Sequence, residues 1–558
     1  MSSLTVVMAQ VDPTVGDLDA NLAMLRAARA EAAGKGADLV VFPELALAGY
    51  PPEDLVLRAG FRAACRAHAE ALAADTADGG PAVIVGLPVE GPGGLPINAA
   101  MVLDGGRVVA TVGKRHLPNY GVFDEARVFA PAAGAPQPVS VRGWRLGVMI
   151  CEDMWFPDVA AGLAAGGADL LVVPNGSPFE VDKGAQRLGH ARARVAETGL
   201  PLLYVNQVGG QDELVFDGAS FAVAADGRLI VRGPSWQSAS LPVVFDPPTA
   251  PGATAPVPRQ GAIVATAERC EDIYRALMAG LAGYVDKNGF PGVVLGLSGG
   301  IDSALSAAVA VDALGPERVR CLMMPSPHTS RESLEDAAGV VRLLGCRLDE
   351  VPIGGAMETF DGLLRPLFED RPADVTEENI QARARALILM AVSNKFGHML
   401  LSTGNKSEMS VGYATLYGDM CGGFNVLKDV YKTTVFALSR WRNAHWPPAA
   451  LGPDGPVMPQ RVIDKPPSAE LRPDQKDSDS LPDYPVLDAI LKGLIEGEMG
   501  LAQMAAAGHD PADVARVWRL LLGAEYKRRQ APPGVKITLR SFGRERRYPM
   551  TNAFRGEH

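Results

Sequence analysis

The stretch Gly292-Val293-Val294-Leu295-Gly296-Leu297-Ser298-Gly299-Gly300-Ile301-Asp302-Ser303 passes from a short apolar strand through a glycine turn into a helix. Residues 292–297 carry the apolar run of a buried strand, and helical spacing extends from about Asp302 to Leu314, where Gly315 should stop it. In that order, backbone N–H groups can wrap a pyrophosphate at the positive end of a helix dipole. The glycines let the chain approach closely. The loop lacks the Gly-Lys-Ser/Thr of a loop that works on a γ-phosphate, and the carboxylate of Asp302 inside it suggests Mg²⁺ bridging phosphate oxygens. The plainer reading is a glycine turn with a solvated aspartate.

Upstream, residues 268–287 keep helical period, and before them residues 247–262 turn to Pro, Ala, Thr and Gly (PPTAPGATAPVPRQGA). That composition buries no core and favours neither helix nor central strand, so it reads as a linker between a domain at 1–246 and another at 263–558. In the first domain, apolar runs at 37–42, 82–87, 144–150, 170–173 and 202–205 alternate with Ala- and Arg-rich stretches of helical period. This is an α/β pattern. The turn Asp104-Gly105-Gly106 between the runs 99–103 and 107–112 predicts a hairpin, and Asp226-Gly227 repeats the device, so part of the sheet should be antiparallel. Downstream of the glycine loop the α/β alternation resumes, broken by a Pro-, Gly- and charge-rich stretch at 447–483 that reads as a long surface loop.

A chain of 558 residues predicts more than one domain. Hydrophobic residues at 47%, charged residues at 21%, and 64 acidic against 53 basic side chains describe a soluble globular protein of net charge −11. That balance disfavours a broad basic face for nucleic acid or anionic lipid. No apolar run reaches the length of a membrane span, and Met1-Ser2-Ser3-Leu4 lacks the basic start and apolar core of a signal peptide. A cytoplasmic protein without a membrane partner is expected. Cys65, Cys151, Cys270, Cys321, Cys346 and Cys421 lie far apart with no CxxC pair, which suggests neither a zinc site nor a disulfide framework.

Three segments put a carboxylate, an amine and a thiol at the ends of predicted strands: Phe42-Pro43-Glu44, Gly113-Lys114-Arg115 and Ile150-Cys151-Glu152-Asp153. A thiol attacking a carbonyl carbon needs a base for its proton and a positive or hydrogen-bonding group for the oxyanion, and Glu plus Lys can fill those roles without histidine. Such a trio forms an acyl-thioester from an amide or a nitrile. Taken singly, each residue is as well explained by a structural thiol or a solvated strand cap.

Together, Phe42-Pro43-Glu44-Leu45-Ala46-Leu47-Ala48-Gly49-Tyr50, Gly113-Lys114-Arg115-His116-Leu117-Pro118-Asn119-Tyr120 and Cys151-Glu152-Asp153-Met154-Trp155 resemble the nitrilase superfamily, in the expected order. The resemblance covers about residues 4–245 and implies an αββα sandwich, with Glu44 as general base, Lys114 as oxyanion stabiliser and Cys151 as nucleophile. It also implies Glu125 as an auxiliary glutamate, a residue that a salt bridge would explain equally well. Residues 44–55 look like the glutaminase branch of that superfamily, the one fused to NAD synthetase. That implies L-glutamine as substrate and a pocket lined by Tyr120, Ser177 and Lys183, with Lys183 facing the α-carboxylate.

The octet Gly296, Leu297, Ser298, Gly299, Gly300, Ile301, Asp302 and Ser303 resembles the loop of the ATP pyrophosphatases, which adenylylate a carboxylate or carbonyl-type oxygen and release pyrophosphate. A Rossmann-like domain with a parallel sheet is implied. Glu378-Asn379-Ile380-Gln381-Ala382-Arg383, the run 401–408, Gly418-Asp419-Met420-Cys421-Gly422-Gly423-Phe424, Leu427-Lys428-Asp429-Val430-Tyr431-Lys432 and Lys465-Pro466-Pro467-Ser468-Ala469-Glu470-Leu471 resemble the NAD synthetases. Carried onto these positions, the octet and Thr403 meet ATP, Asp302 and Glu408 hold Mg²⁺, and Asn379, Arg383, Glu408, Lys428 and Lys527 hold deamido-NAD. Arg383 and Lys527 also suit the solvated faces of charged helices.

The resemblances together imply a homo-oligomeric ligase of the glutamine-dependent NAD synthetase family. Glutamine, or free ammonia, would amidate deamido-NAD through an adenylate, giving NAD, AMP and pyrophosphate. One rival makes the nitrilase-like half a silent scaffold, which the three intact catalytic positions oppose. Another is an RNA-modifying ATP pyrophosphatase, which the acidic balance opposes.

Overall fold

The computed structural model describes residues 2–248, 255–369, 371–472, 475–479 and 481–554. The chain folds as two compact units, Met1–Ala267 and Glu268–His558.

In the first unit two sheets pack face to face. The first has strands in the order Val257–Pro258, Ala239–Asp246, Leu4–Gln10, Leu39–Val41, Ala82–Val89, Ile97–Asp104 and Arg107–Gly113. The second runs Leu229–Arg232, Phe221–Val223, Leu202–Asn206, Leu170–Asn175, Trp144–Val148 and Val139–Val141. Parallel pairs occupy the middle of each sheet and antiparallel pairs the flanks. Alternate residues of the strands point inward, so Val6, Met8, Val41 and Ile84 of one sheet meet Leu146, Val148, Val172 and Leu203 of the other in a dry core. The opposite faces are covered by helices. Leu18–Gly34 and Ala59–Asp75 bury Leu22, Leu25, Cys65 and Leu72 on the first sheet, while Pro157–Ala165 and Lys183–Thr198 bury Val159, Leu163, Ala191 and Val195 on the second. The result is the expected four-layer αββα sandwich.

Both anticipated hairpins form. Ile97–Asp104 pairs antiparallel with Arg107–Gly113 across Gly105 (φ +59°) and Gly106 (φ +81°), positions that only glycine takes without strain. Phe221–Val223 pairs with Leu229–Arg232 around Gly227. Part of the stretch 247–262 belongs to the first sheet: Val257–Pro258 pairs with Phe245 and Asp246 at its edge, where a proline is tolerated. Residues 249–254 lie outside the described residues.

The second unit is built on a wholly parallel sheet in the order Arg347–Glu350, Val319–Met323, Val293–Gly296, Met399–Ser402 and Phe424–Asn425. By sequence this is the order 3-2-1-4-5, which places a topological switch point between Val293–Gly296 and Met399–Ser402. The helix Ile301–Leu314 follows the first strand, and Gly315 ends it as expected. A separate helical cluster of Tyr484–Ile495, Leu501–Ala506 and Pro511–Gly523 packs around Leu487, Ile490, Val514, Val517 and Leu521. Among the described residues no helix is long and apolar enough to cross a membrane.

Within the stretch 447–483, expected as a surface loop, the part up to Asp464 packs into the fold. Val457, Met458, Val462 and Ile463 are buried, and Gln460–Asp464 is helical. The buried Arg442 guanidinium explains it, donating to the carbonyls of His445, Pro453 and Gly455 while paired with Asp312. Cys321 and Cys346 also prove to be neighbours, with sulfurs 3.9 Å apart as free thiols.

Candidate functional site

In the first unit, Glu44 follows the strand Leu39–Val41 and sits in a turn pressed against the next strand. A Cβ on Gly86 would meet Leu45 N at 2.1 Å, so glycine there lets the Glu44 turn seat against the sheet. Lys114 continues the strand Arg107–Gly113. Cys151 opens the one-turn helix Cys151–Trp155 just beyond Trp144–Val148, with φ at +46°, a left-handed conformation costly for a residue bearing a side chain.

These strand ends converge. Lys114 is fully buried, and its Nζ donates to Glu44 Oε1 at 2.7 Å and to both Glu125 oxygens at 2.9 and 2.8 Å. Glu44, also with no exposed surface, accepts from Asn98 Nδ2 at 2.7 Å and from the Gly176 N–H at 3.0 Å. Tyr50 Oη donates to Glu125 Oε1 at 2.9 Å. Glu125 is thus in a salt bridge, and that salt bridge is with the site lysine.

Burial opposes the charge of Lys114, but Glu125 and Glu44 hold its pKa well above the usual lysine value. Burial pushes the Glu125 carboxyl up to about 7, against the pull of Lys114. The Cys151 thiol is raised well above its usual value by burial and by the Glu44 charge, with Lys114 opposing. At neutral pH the thiol is therefore protonated and must surrender its proton as it attacks. The arrangement offers a carboxylate for that proton and a fixed cation for a developing oxyanion.

Of the pocket candidates, Tyr120 is 54% exposed and donates to Glu152, the neighbour of Cys151, at 2.9 and 3.1 Å. Lys183 begins the helix Lys183–Thr198 and lies 5.7 Å from the Phe123 ring centre; burial raises the Glu152 carboxyl pKa, with the Tyr120 hydrogen bond and the charges of Lys114 and Lys183 opposing. Ser177 is buried, its N–H on Asn206 Oδ1 at 3.0 Å.

In the second unit the octet lies at the switch point. Gly299 has φ +82°, and a Cβ on it would meet Ser333 O at 2.3 Å. Ser303 Oγ donates to Gly300 O at 3.0 Å and accepts from the Ser298 N–H at 3.3 Å, which closes the loop on itself. The loop is joined to the turn that holds Thr403 by Asn405, whose Nδ2 donates to Asp302 Oδ1 at 2.9 Å and whose Oδ1 caps the Glu408 N–H at 3.0 Å.

Asp302 and Glu408 converge on one ammonium. Lys432 Nζ donates to Asp302 Oδ2 and, at 3.0 Å, to Glu408 Oε1. Burial works against its charge, yet the two carboxylates carry its pKa above the lysine range. Burial likewise pushes Glu408 up to about 7, with Lys432 opposing and Asp302 assisting.

The remaining candidates gather differently. Asn379 and Arg383 share the helix Val375–Phe396 and reach the segment 412–416: Asn379 Oδ1 accepts from Thr415 Oγ1 at 3.0 Å and Arg383 Nε donates to Leu416 O at 3.2 Å. Lys527 Nζ reaches the same segment, at Gly412 O (2.7 Å) and Ala414 O (2.6 Å). Lys428 packs instead beside Gly534, whose added Cβ would meet its own at 2.7 Å.

Sequence reasoning assigned no role to Tyr50, Asn98 or Lys432. Asn98 had a signal, the one polar residue in the strand Ile97–Leu103 run of Ile, Ala, Met, Val and Leu. Lys432 closes a quoted motif, yet nothing local separates it from Lys428.

The carbon–nitrogen hydrolase family matches residues 5–244, and the NAD synthase family matches residues 273–531. The glutamine-dependent NAD(+) synthetase of Rhodobacter capsulatus is 50% identical over 99% of both chains, and that of Thermotoga maritima is 42% identical over the whole of both. A solved glutamine-dependent NAD+ synthetase from Acinetobacter baumannii, in complex with ADP, shares 42% identity and a TM-score of 0.78 over 99% of each chain. Another from Cytophaga hutchinsonii, at 22% identity and TM-score 0.81 over 99% of this chain and 98% of that one, is a likeness of fold.

Proposed function

The chain belongs to the glutamine-dependent NAD(+) synthetases, and from that premise we propose how its residues divide the reaction. The glutaminase activity belongs to the first unit, Met1–Ala267, which takes Val257–Pro258 of the expected linker 247–262 into its sheet, and the synthetase activity to the second, Glu268–His558. In the first, Cys151 Sγ attacks the side-chain amide carbon of glutamine while Glu44 takes the thiol proton, and Lys114 donates to the oxyanion. Glu44 returns the proton to the departing ammonia; water, deprotonated by Glu44, then cleaves the thioester to glutamate. Glu125 keeps Lys114 charged and in place. Tyr120, Ser177 and Lys183 hold the amino-acid end of the substrate.

In the second domain the octet and Thr403 bind ATP, and Asn379, Arg383, Glu408, Lys428 and Lys527 bind deamido-NAD. The nicotinate carboxylate attacks the α-phosphorus of ATP and releases pyrophosphate; ammonia then attacks the acyl carbon and releases AMP. Asp302 and Glu408 suit Mg²⁺, because two hard oxygen donors already converge on one cationic point beside a phosphate loop, and an ion carried by phosphates needs only one or two carboxylates. Bound there, the ion would neutralise phosphate charge. The chain's own part is to hold those carboxylates in register through Asn405 and Lys432.

A cytoplasmic location suits six cysteines that all carry free thiols. A homo-oligomer suits the apolar side chains left in water on two helices: Leu363 and Leu367 of Gly354–Phe368 are 66% and 74% exposed, and Leu387 of Val375–Phe396 is 66% exposed.

The observation that carries the reading is the buried chain of Glu44, Lys114 and Glu125 beside a buried thiol. Product analysis with deamido-NAD, ATP and glutamine tests it. Equal yields of NAD, AMP, pyrophosphate and glutamate are expected; ADP and orthophosphate, or NAD without glutamate, would refute it.

A further inference from the structure

Arg187, on the helix Lys183–Thr198, is 2% exposed. Its donors are spread over two quite different targets. Nη1 donates to Asp217 Oδ1 and Oδ2 at 2.7 and 2.8 Å, where Asp217 ends the strand Leu214–Asp217. Nε donates to Ser177 Oγ at 3.1 Å, and Nη2 to the carbonyls of Ser177 and Pro178 at 2.9 and 2.8 Å. Three of these five bonds therefore hold Ser177 and Pro178, in the segment that begins at Gly176, which an ion pair serving only its own burial would not need.

That segment touches the catalytic carboxylate. The Gly176 N–H donates to Glu44 Oε2 at 3.0 Å, and Asn206 Oδ1 accepts the Ser177 N–H at 3.0 Å. The guanidinium suits the task because its planar fork meets a carboxylate, a hydroxyl and two carbonyls at once, which a lysine ammonium with three donors cannot do. Asp217 keeps the fork from turning.

We propose that Arg187, oriented by Asp217, is the positioning residue of the glutamine pocket: it sets Ser177 toward the substrate and the Gly176 N–H toward Glu44. The inference rests on the reading of Ser177 as a glutamine-binding residue and Glu44 as the base. Arg187 itself touches no reacting atom.

The test uses the full chain with Arg187→Lys, and with Asp217→Asn as a second variant that preserves volume. Each is measured for KM and kcat with glutamine, for NAD formation from ammonium, and for thermal unfolding. Misplacing one buried hydrogen-bonding group to the substrate corresponds to a loss of about ten-fold in binding. The expected result is a glutamine KM raised about ten-fold, a smaller fall in kcat, and unchanged synthesis from ammonium. A merely structural role would lower kcat through a smaller folded fraction and leave KM alone; that pattern, or an unchanged KM, overturns the proposal. Loss of folding in both variants also overturns it. Cys151→Ala, run alongside, separates the two levels: if it still consumes glutamine, the glutaminase reading has failed whatever Arg187 does.

Discussion

A lysine without exposed surface keeps its charge only where carboxylates hold it, and Lys114 has two. The cost of that arrangement falls on Glu125, whose carboxyl rises from 4.5 to about 7. A group with a raised folded pKa contributes stability that is present below its unfolded value and lost as pH climbs through the folded one. The window is about pH 4.5 to 7 for this residue. Glu125→Gln removes the titration, so the parent's Tm should fall relative to the variant's as pH rises from 5 to 7; parallel Tm profiles would show that Glu125 does not titrate there. Glu44, Lys114 and Cys151 were legible in sequence because each sits in a motif at a strand end. Tyr50 and Lys432 were not, since their partners Glu125 and Asp302 lie 75 and 130 residues away, and Asn98 showed only as a polar residue in an apolar strand, its partner Glu44 lying 54 residues away.

At the scale of elements, the strand-loop-helix unit Val293–Leu314 is the proposed nucleotide site, and its turn depends on Gly299. Alanine there would need a left-handed backbone and would meet Ser333 O at 2.3 Å, a strain of about 1–3 kcal/mol that the loop must relieve by moving. Gly299→Ala should raise the ATP KM at least ten-fold, on the order expected for losing one such interaction, with glutamine and ammonium alike. An unchanged ATP KM would show that the turn does not shape the site. Strands and hairpins were legible because apolar runs and glycine pairs are local signals. The order within 447–483 was not legible because proline and glycine content does not reveal Arg442, which supplies from the neighbouring helix the bonds that the carbonyls of His445, Pro453 and Gly455 cannot make for themselves.

At the scale of the whole molecule, Leu363, Leu367 and Leu387 form apolar surface that a monomer leaves in water. If the proposed homo-oligomer is built on this surface, Leu363→Glu combined with Leu367→Glu should shift the mass measured by light scattering toward the monomer; an unchanged mass would contradict an assembly through these helices. The two units have separate cores, and their chemistries are separable too. Glutamine cleavage needs a thiol; adenylation and attack by ammonia do not. Cys151→Ala deletes one sulfur atom from the first unit and leaves the second untouched. The most direct measurement of that division is NAD formation by Cys151→Ala with glutamine or with ammonium as the nitrogen source. Glutamine-dependent synthesis should vanish while ammonium-dependent synthesis stays near the parent's rate. NAD made from glutamine in ammonia-free buffer, or loss of synthesis from ammonium, would contradict the account.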